Sequence, residues 1–337
     1  MEPQIQYAKT SDGINIAYYA IGDGTPLVSL TPGSHLERQW QYPEQRAWFT
    51  RLAANARLIR LDHRGTGLSD RDTTYSLVLA PLDIEAVVRK EALRRFALLA
   101  QGSSSVTAIL YASKHPQKVS RLVLWCPYTS SRSFVESSPP LQAVLAGLPK
   151  DWMTFTEFAA ELMTGRGDID QARRYASYTR DCFTAEAFLA RGREEVDVTP
   201  QLGQLTMPVL VLQRTATSFP TVELARRLAA DAPQARLVLL DGAAALPFLG
   251  NTDAVLAAID GFLSEPDHLR PAGLTQREQQ ILSLLAGGAS NEGIATTLSI
   301  STRTVERHIG NIYLKIGAHN RAEATAYAFL HGLATGS

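Results

Sequence analysis

The sequence predicts an α/β domain built on a mostly parallel sheet, followed by a small all-α domain. Three observations predict it. Up to residue 263, short apolar runs rich in Val, Leu and Ile alternate with helical stretches. A polar seam, Ser264 to Gly273, then carries two prolines and no periodicity. Beyond the seam only short helices remain.

The expected strands, in order, are "INIAYYAI", "PLVSL", "ARLIRLD", "RRFALLA", "SRLVLWC", "MPVLVLQ" and "ARLVLLD". The last five read as strands buried on both faces, which suits a parallel sheet covered by crossover helices. Between Tyr128 and Leu205 the alternation breaks into helix-like segments, "LQAVLAGL", "TFTEFAAELM" and "AEAFLARG". This stretch, about 129–205, is expected to form a helical cap over the sheet. Its aromatics, Trp152, Phe155, Phe158, Tyr175, Tyr178, Phe183 and Phe188, would form the roof of whatever lies beneath. The domains expected are thus 1–263 and 274–337, joined by a linker at 264–273.

In the second domain, Thr275-x-x-Glu278 is a capping box that starts a helix reaching about Ala286, where Gly287 and Gly288 stop it. Ser290 caps a short second helix to about Leu298. Ser301 caps a third to about Ile316, ended by Gly317, and a fourth runs from about Ala322 to Leu330. In the third helix Val305, Ile309, Ile312 and Ile316 recur at helical spacing and must face the core. The rest of its surface carries Arg303, Thr304, Arg307, His308, Asn311 and Lys315. That outward surface is basic and rich in hydrogen-bonding groups.

Bulk properties narrow the classes. The 337 residues and a hydrophobic fraction of 45% allow one large and one small domain with full cores. No run of about 18 apolar residues is present, so no membrane helix is expected. The N-terminus, "MEPQIQYAKTSDG", is polar and acidic, unlike a signal peptide. Two cysteines, Cys126 and Cys182, are too few for a disulfide framework and fit a cytoplasmic setting. Net charge is zero overall, but from Arg270 onward six Arg and Lys face four Glu. No metal site or cofactor is expected.

Residues 4 to 263 resemble an α/β-hydrolase. The resemblance rests on "LDHRGTGLSD" (61–70), on "PGSHLERQW" (32–40) in the place of the oxyanion-hole loop, and on "YASKHPQKVSRLVL" after the nucleophile position. The hydrolase elbow G-x-S-x-G holds its serine on a strained turn between strand and helix. Here those five positions read Ala100, Gln101, Gly102, Ser103 and Ser104, so the nucleophile falls on Gly102. The resemblance puts the acid position on Thr217 and the histidine position on Ala245. No histidine lies between His115 and His268, so none follows the acid within this domain in the order such a triad requires. Ser103 would sit one residue past the tip and lack a base.

A hydrolase-like domain without its triad is expected to bind rather than hydrolyse a small, largely apolar molecule. The candidate ligand residues are Pro32, Gly33, Ser34, His35, Gly102, Ser103, Tyr128, Trp152, Phe155, Thr217, Ala245 and Leu246, with Arg214 and Arg132 as further polar handles. His63 is expected to be structural.

Leu274 to Leu333 resembles the LuxR-type helix-turn-helix. The resemblance implies double-stranded DNA as partner, with Thr304, Arg307 and His308 at or near base edges and Lys315 and Arg321 at phosphates. It also implies a homodimer through the fourth helix, using Ala324, Tyr327 and Ala328. "NEGIA" places Gly293 where the family has glutamate, which breaks a second capping box. The overall expectation is a ligand-responsive transcriptional regulator. A hydrolase with non-triad chemistry and an attached DNA-binding module, and a hydrolase-like dimerisation platform, are the alternatives.

Overall fold

The computed structural model describes residues 3–71, 73, 76–147, 151–192, 194–265, 274, 276–298, 300–331 and 333. The chain divides into two compact units, Met1–Leu263 and Ser264–Ser337. The expected linker lies almost wholly outside the described residues, as does Thr275 of the first capping box.

Among its described residues the first unit holds eight strands: β1 (Gln6–Lys9), β2 (Asn15–Ile21), β3 (Pro26–Leu30), β4 (Arg57–Leu61), β5 (Phe96–Gln101), β6 (Val119–Trp125), β7 (Val209–Arg214) and β8 (Ala235–Leu240). They form one sheet in the order β1-β2-β4-β3-β5-β6-β7-β8. β1 and β2 pair antiparallel with each other and β2 antiparallel with β4; every other pairing is parallel. β1, a polar four-residue hairpin partner, carries too little apolar signal to stand out in the sequence.

Two apolar layers enclose the sheet. On one face pack α2 (Pro81–Lys90), α3 (Ser104–Lys114) and α9 (Val222–Asp231), through Ile84, Val87, Val106, Ile109, Leu224 and Leu228. On the other lie α1 (Pro43–Asn55) and α10 (Thr252–Ser264), through Trp48, Phe49, Leu52, Val255, Leu256 and Ile259. β5, β6 and β7 are buried at every residue, as their unbroken apolar runs require. β8 departs from expectation. Its run "ARLVLL" is equally apolar, yet it is the sheet edge and no residue of it is fully buried. An apolar run does not distinguish a central strand from an edge strand.

The cap is helical as expected: α4 (Ser131–Glu136), α5 (Pro139–Gly147), α6 (Trp152–Thr164), α7 (Ile169–Cys182) and α8 (Ala185–Gly192). Asp151 and Asp168 cap α6 and α7 by accepting from the amides of Met153 and of Asp170 and Gln171.

The second unit is four helices: α11 (Gln276–Ala286), α12 (Asn291–Leu298), α13 (Thr302–Ile316) and α14 (Arg321–Leu330). Ile281, Leu282, Leu285, Ile294, Val305, Ile309, Ile312, Ala324 and Ala328 form its core. Ser301 accepts from the Thr304 amide, and Gly317 ends α13 in the left-handed region. Gly293 does not abolish the cap of α12. The Ser290 hydroxyl accepts from the Gly293 amide at 3.1 Å, so half of the box survives on backbone alone.

Candidate ligand cavity and DNA-binding face

The strand-to-helix turn after β5 is intact. Gly102 has φ of +50°, and its N–H donates to the carbonyl of Trp125 at 2.9 Å. A side chain at this φ is strained, and an added Cβ would stand 3.3 Å from Cγ of Pro32. Ser103 is already in the right-handed helical region as the first residue before α3. The Ser103 hydroxyl is buried and has no hydrogen-bond partner.

The loop after β3 is tied down from the other side. Asp62, fully buried at the end of β4, accepts from the hydroxyl of Ser34 at 2.5 Å and from the amides of Leu36 and Leu68 at 3.2 and 2.8 Å. Burial pushes its carboxyl above the usual range, and the three donors oppose that. Gly33 lets the cap close on this loop. A Cβ there would lie 2.1 Å from Cε2 of Phe183, a direct clash with the ring edge.

Thr217 and Ala245, expected at the acid and histidine positions, make hydrogen bonds within the domain. The Thr217 hydroxyl donates to Pro220 O at 2.8 Å and accepts from Gln213 Nε2 at 2.7 Å. The Ala245 amide donates to Met163 O at 2.8 Å, and its carbonyl accepts from Trp125 Nε1 at 2.6 Å. His63 sits in a buried cluster with Asp83 and Arg64, its Nδ1 3.4 Å from Asp83 Oδ2.

Between this floor and the cap lies a cavity of about 250 Å³. On a scale where about 150 Å³ of apolar space holds benzene, it has room for a larger molecule. Of the twelve candidate ligand residues, eight line it: Pro32, Gly33, Gly102, Ser103, Tyr128, Phe155, Ala245 and Leu246. Ser34, His35, Trp152 and Thr217 do not. Ser34 is held by Asp62, and the His35 backbone N–H donates to Tyr178 Oη at 3.3 Å. Trp152 stacks on Phe155 from behind, centroids 5.6 Å apart, and Thr217 is bound into its own turn. Among the cap aromatics Phe155, Tyr175, Tyr178, Phe183 and Phe188 reach the cavity, whereas Phe158 is exposed.

The sequence reading missed Gln45 and Phe49 of α1, Gln101, both cysteines, and Phe134, Phe219 and Phe248. The four-residue spacing of Gln45 and Phe49 was a usable signal, since it puts both on one helical face. The described lining contains no His, Asp, Glu, Lys or Arg. Burial pushes the Cys126 thiol up to about 12 and the Cys182 thiol well above its ordinary value, so neither is a ready nucleophile. Of the expected polar handles, Arg214 is buried behind the floor and Arg132 pairs with Glu195 at the surface.

Residues 32–202, a little over half the chain, match the alpha/beta hydrolase fold family. The chain belongs to the alpha/beta hydrolase fold family. Solved structures agree on the fold. The esterase RhEst1 from Rhodococcus sp. ECU1013 is 23% identical, with a TM-score of 0.69 over 79% of this chain and 99% of that one. Est816, described as an N-acyl homoserine lactone degrading enzyme, is 21% identical, with a TM-score of 0.65 over 76% and 100%. The enol-lactonase from Burkholderia xenovorans LB400 is 18% identical, with a TM-score of 0.61 over 77% and 100%. This alpha/beta hydrolase fold protein carries a second match after its sheet domain. Residues 272–328 match the bacterial regulatory proteins of the luxR family, so the four-helix unit is a LuxR-type DNA-binding domain.

In that domain α13 points Val305, Ile309 and Ile312 into the core. Arg303, Arg307 and Asn311 recur at four-residue steps on the opposite, exposed face. Leu314, 84% exposed, stands on the same face. Thr304 and His308 lie on its half-buried flank, and Thr304 Oγ1 is 2.8 Å from Ser301 Oγ. Two expected phosphate contacts are engaged inside the domain. Lys315 Nζ donates to the buried carboxylate of Glu278 at 2.6 Å, and Arg321 Nη2 donates to the carbonyls of Leu285 and Ala289 at 3.0 and 2.6 Å. Ala324 and Ala328, expected at a dimer interface, are in the domain core. The exposed apolar face of α14 is instead Ala322, Ala326, Phe329 and Leu330.

Proposed function

We propose that this protein is a transcriptional regulator whose hydrolase-fold domain binds a small, largely apolar molecule without hydrolysing it. One observation carries the reading. The elbow turn is kept, but Gly102 occupies its tip, and no described residue lining the cavity is a histidine or an acid. A serine hydroxyl without a base is a weak nucleophile, and so is a thiol held protonated by burial. The space remains and its chemistry is that of a binding site: apolar and aromatic walls with a few polar groups.

The LuxR-type domain supplies DNA binding, with Arg303, Arg307 and Asn311 of α13 entering the major groove of a double-stranded operator. Pairing through Ala322, Ala326, Phe329 and Leu330 of α14 would form a homodimer on a two-fold site. No described helix is long and apolar enough to cross a membrane, and the regulator acts in the cytoplasm, with the DNA.

The test is turnover of p-nitrophenyl esters by the full-length protein. The reading expects none above solvent background. Turnover that tracks the protein through purification and disappears in Ser103→Ala would establish hydrolysis and end the non-hydrolytic reading.

A further inference from the structure

The polar groups around the cavity are unbalanced. Ser103 is 4% exposed and its hydroxyl has no partner; Gln101 is 5% exposed and its Nε2 has none. Both stand on the cavity wall at the N-terminus of the eleven-residue α3, whose first free amides carry partial positive charge. Every unmet group here can donate a hydrogen bond.

Behind the wall stand two buried guanidinium groups. Arg60 is fully buried. It donates to Ser29 O, to Gln39 Oε1 and to Oγ1 of Thr31, a wall residue, and lies 4.2 Å over the ring of Phe49, another wall residue. Arg214, 1% exposed, donates to Leu249 O and lies 5.5 Å from the Trp125 ring, whose Nε1 holds the carbonyl of Ala245 in the floor. Neither has a carboxylate within ion-pair distance among the described residues. Asp62, the buried acid next along the chain from β4, accepts from Ser34, Leu36 and Leu68 and forms no ion pair with either arginine. Buried charges in proteins are almost always paired, because an uncompensated one is costly to desolvate. The wall itself offers no acid that could neutralise them.

We propose that the cavity takes an apolar carboxylic acid, bound as its carboxylate with the head group at the Gly102–Ser103 turn and the apolar body under the cap aromatics. The carboxylate accepts from the Ser103 hydroxyl and amide and from Gln101 Nε2. Arg214 and Arg60 do not touch it; their charge acts through the thin wall, where screening is weak. This assignment rests on the reading of the domain as a binding module, and it adds the charge of the ligand.

The experiment is isothermal titration of the full-length protein with matched series. Straight-chain C6 to C12 carboxylates and phenylalkanoates are each compared with their methyl ester and primary amide. The expected result is that at least one acid binds at least tenfold more tightly than its own ester and amide. Ser103→Ala is expected to narrow that ratio by a factor of several, because it weakens the charged acid more than the neutral ester. Arg214→Gln is expected to narrow it too; Ser103→Ala serves alone if loss of the Leu249 contact unfolds that variant. Esters or amides binding as tightly as their acids would overturn the carboxylate assignment and leave the binding reading standing. Binding by neither series would overturn both.

Discussion

The hydroxyl of Ser34 donates to Oδ1 of Asp62 at 2.5 Å, joining the loop after β3 to the turn after β4. Both residues are buried, so water cannot replace the bond. Ser34→Ala would leave Asp62 with two amide donors and a poorly compensated carboxyl. The expected loss is about 1–3 kcal/mol of stability, read as a lower urea midpoint at unchanged slope. An unchanged midpoint would show that the loop is held by packing alone.

Arg64 spans two acids. Its Nη1 donates to Asp12 at 2.7 Å and its Nε to Asp83 at 2.8 Å. The Arg64 side chain holds the Asp12 carboxyl down at about 2, below its ordinary 3.8. A carboxyl depressed by folding contributes stability that is present above its unfolded value and is lost as pH falls through the folded one. Wild type should therefore lose more stability between pH 4 and pH 2 than Asp12→Asn does. Because Asp12 is partly exposed, the difference should shrink in high salt. Parallel acid-denaturation curves for the two proteins would remove this ion pair from the account.

Gly33 faces Phe183 with no room for a side chain. Gly33→Ala requires the Phe183 ring to move. The expected cost is about 1–3 kcal/mol. Binding of any cavity ligand should weaken as well, because Phe183 is part of the wall. A melting temperature and affinity equal to wild type would show that the cap shifts freely on the sheet.

A serine placed at the turn should not by itself give catalysis. In Gly102→Ser the hydroxyl occupies the tip of the turn, but no described lining residue can act as its base. Ester turnover should stay at background, and the positive φ should cost about 1–2 kcal/mol. A burst of p-nitrophenol from this variant would reveal a base that the geometry does not identify.

The basic residues of the DNA-binding domain should separate into two groups. Arg307 is exposed on the outer face of α13, so Arg307→Ala should weaken operator binding by about 1–3 kcal/mol with the melting temperature unchanged. Arg321 pins the end of α11 through two carbonyls, so Arg321→Ala should lower the melting temperature first. Equal thermal losses in both variants would undo the distinction.

Much of this arrangement is legible in the residue order. Central strands such as "RRFALLA" and "MPVLVLQ" announce themselves by apolar content. The α13 stripe of Val305, Ile309 and Ile312 and its Ser301 and Gly317 boundaries follow from period and capping. The turn at Gly102 follows from a glycine between an apolar run and a helix. What escapes is whatever depends on a distant partner. The places of Ser34 and Thr217 along the chain put them at the cavity, but each hydroxyl is bound elsewhere. The order of residues does not show that Lys315 pairs with Glu278 or that Arg321 donates to the carbonyls at the end of α11. Ala324 and Ala328 are small enough for either a core or an interface, and size alone does not choose.

The sequence by itself determined the α/β domain, the LuxR-type domain after it and the turn at Gly102, because these depend on local chemistry and on order along the chain. Only the tertiary structure decided which side chains reach the cavity and which cations lack an ion-pair partner among the described residues. Those properties are set by contacts between residues far apart in the chain, such as Gly33 with Phe183 or Trp125 with Ala245, and a hydrogen-bonding group is free for a ligand only when no such contact claims it.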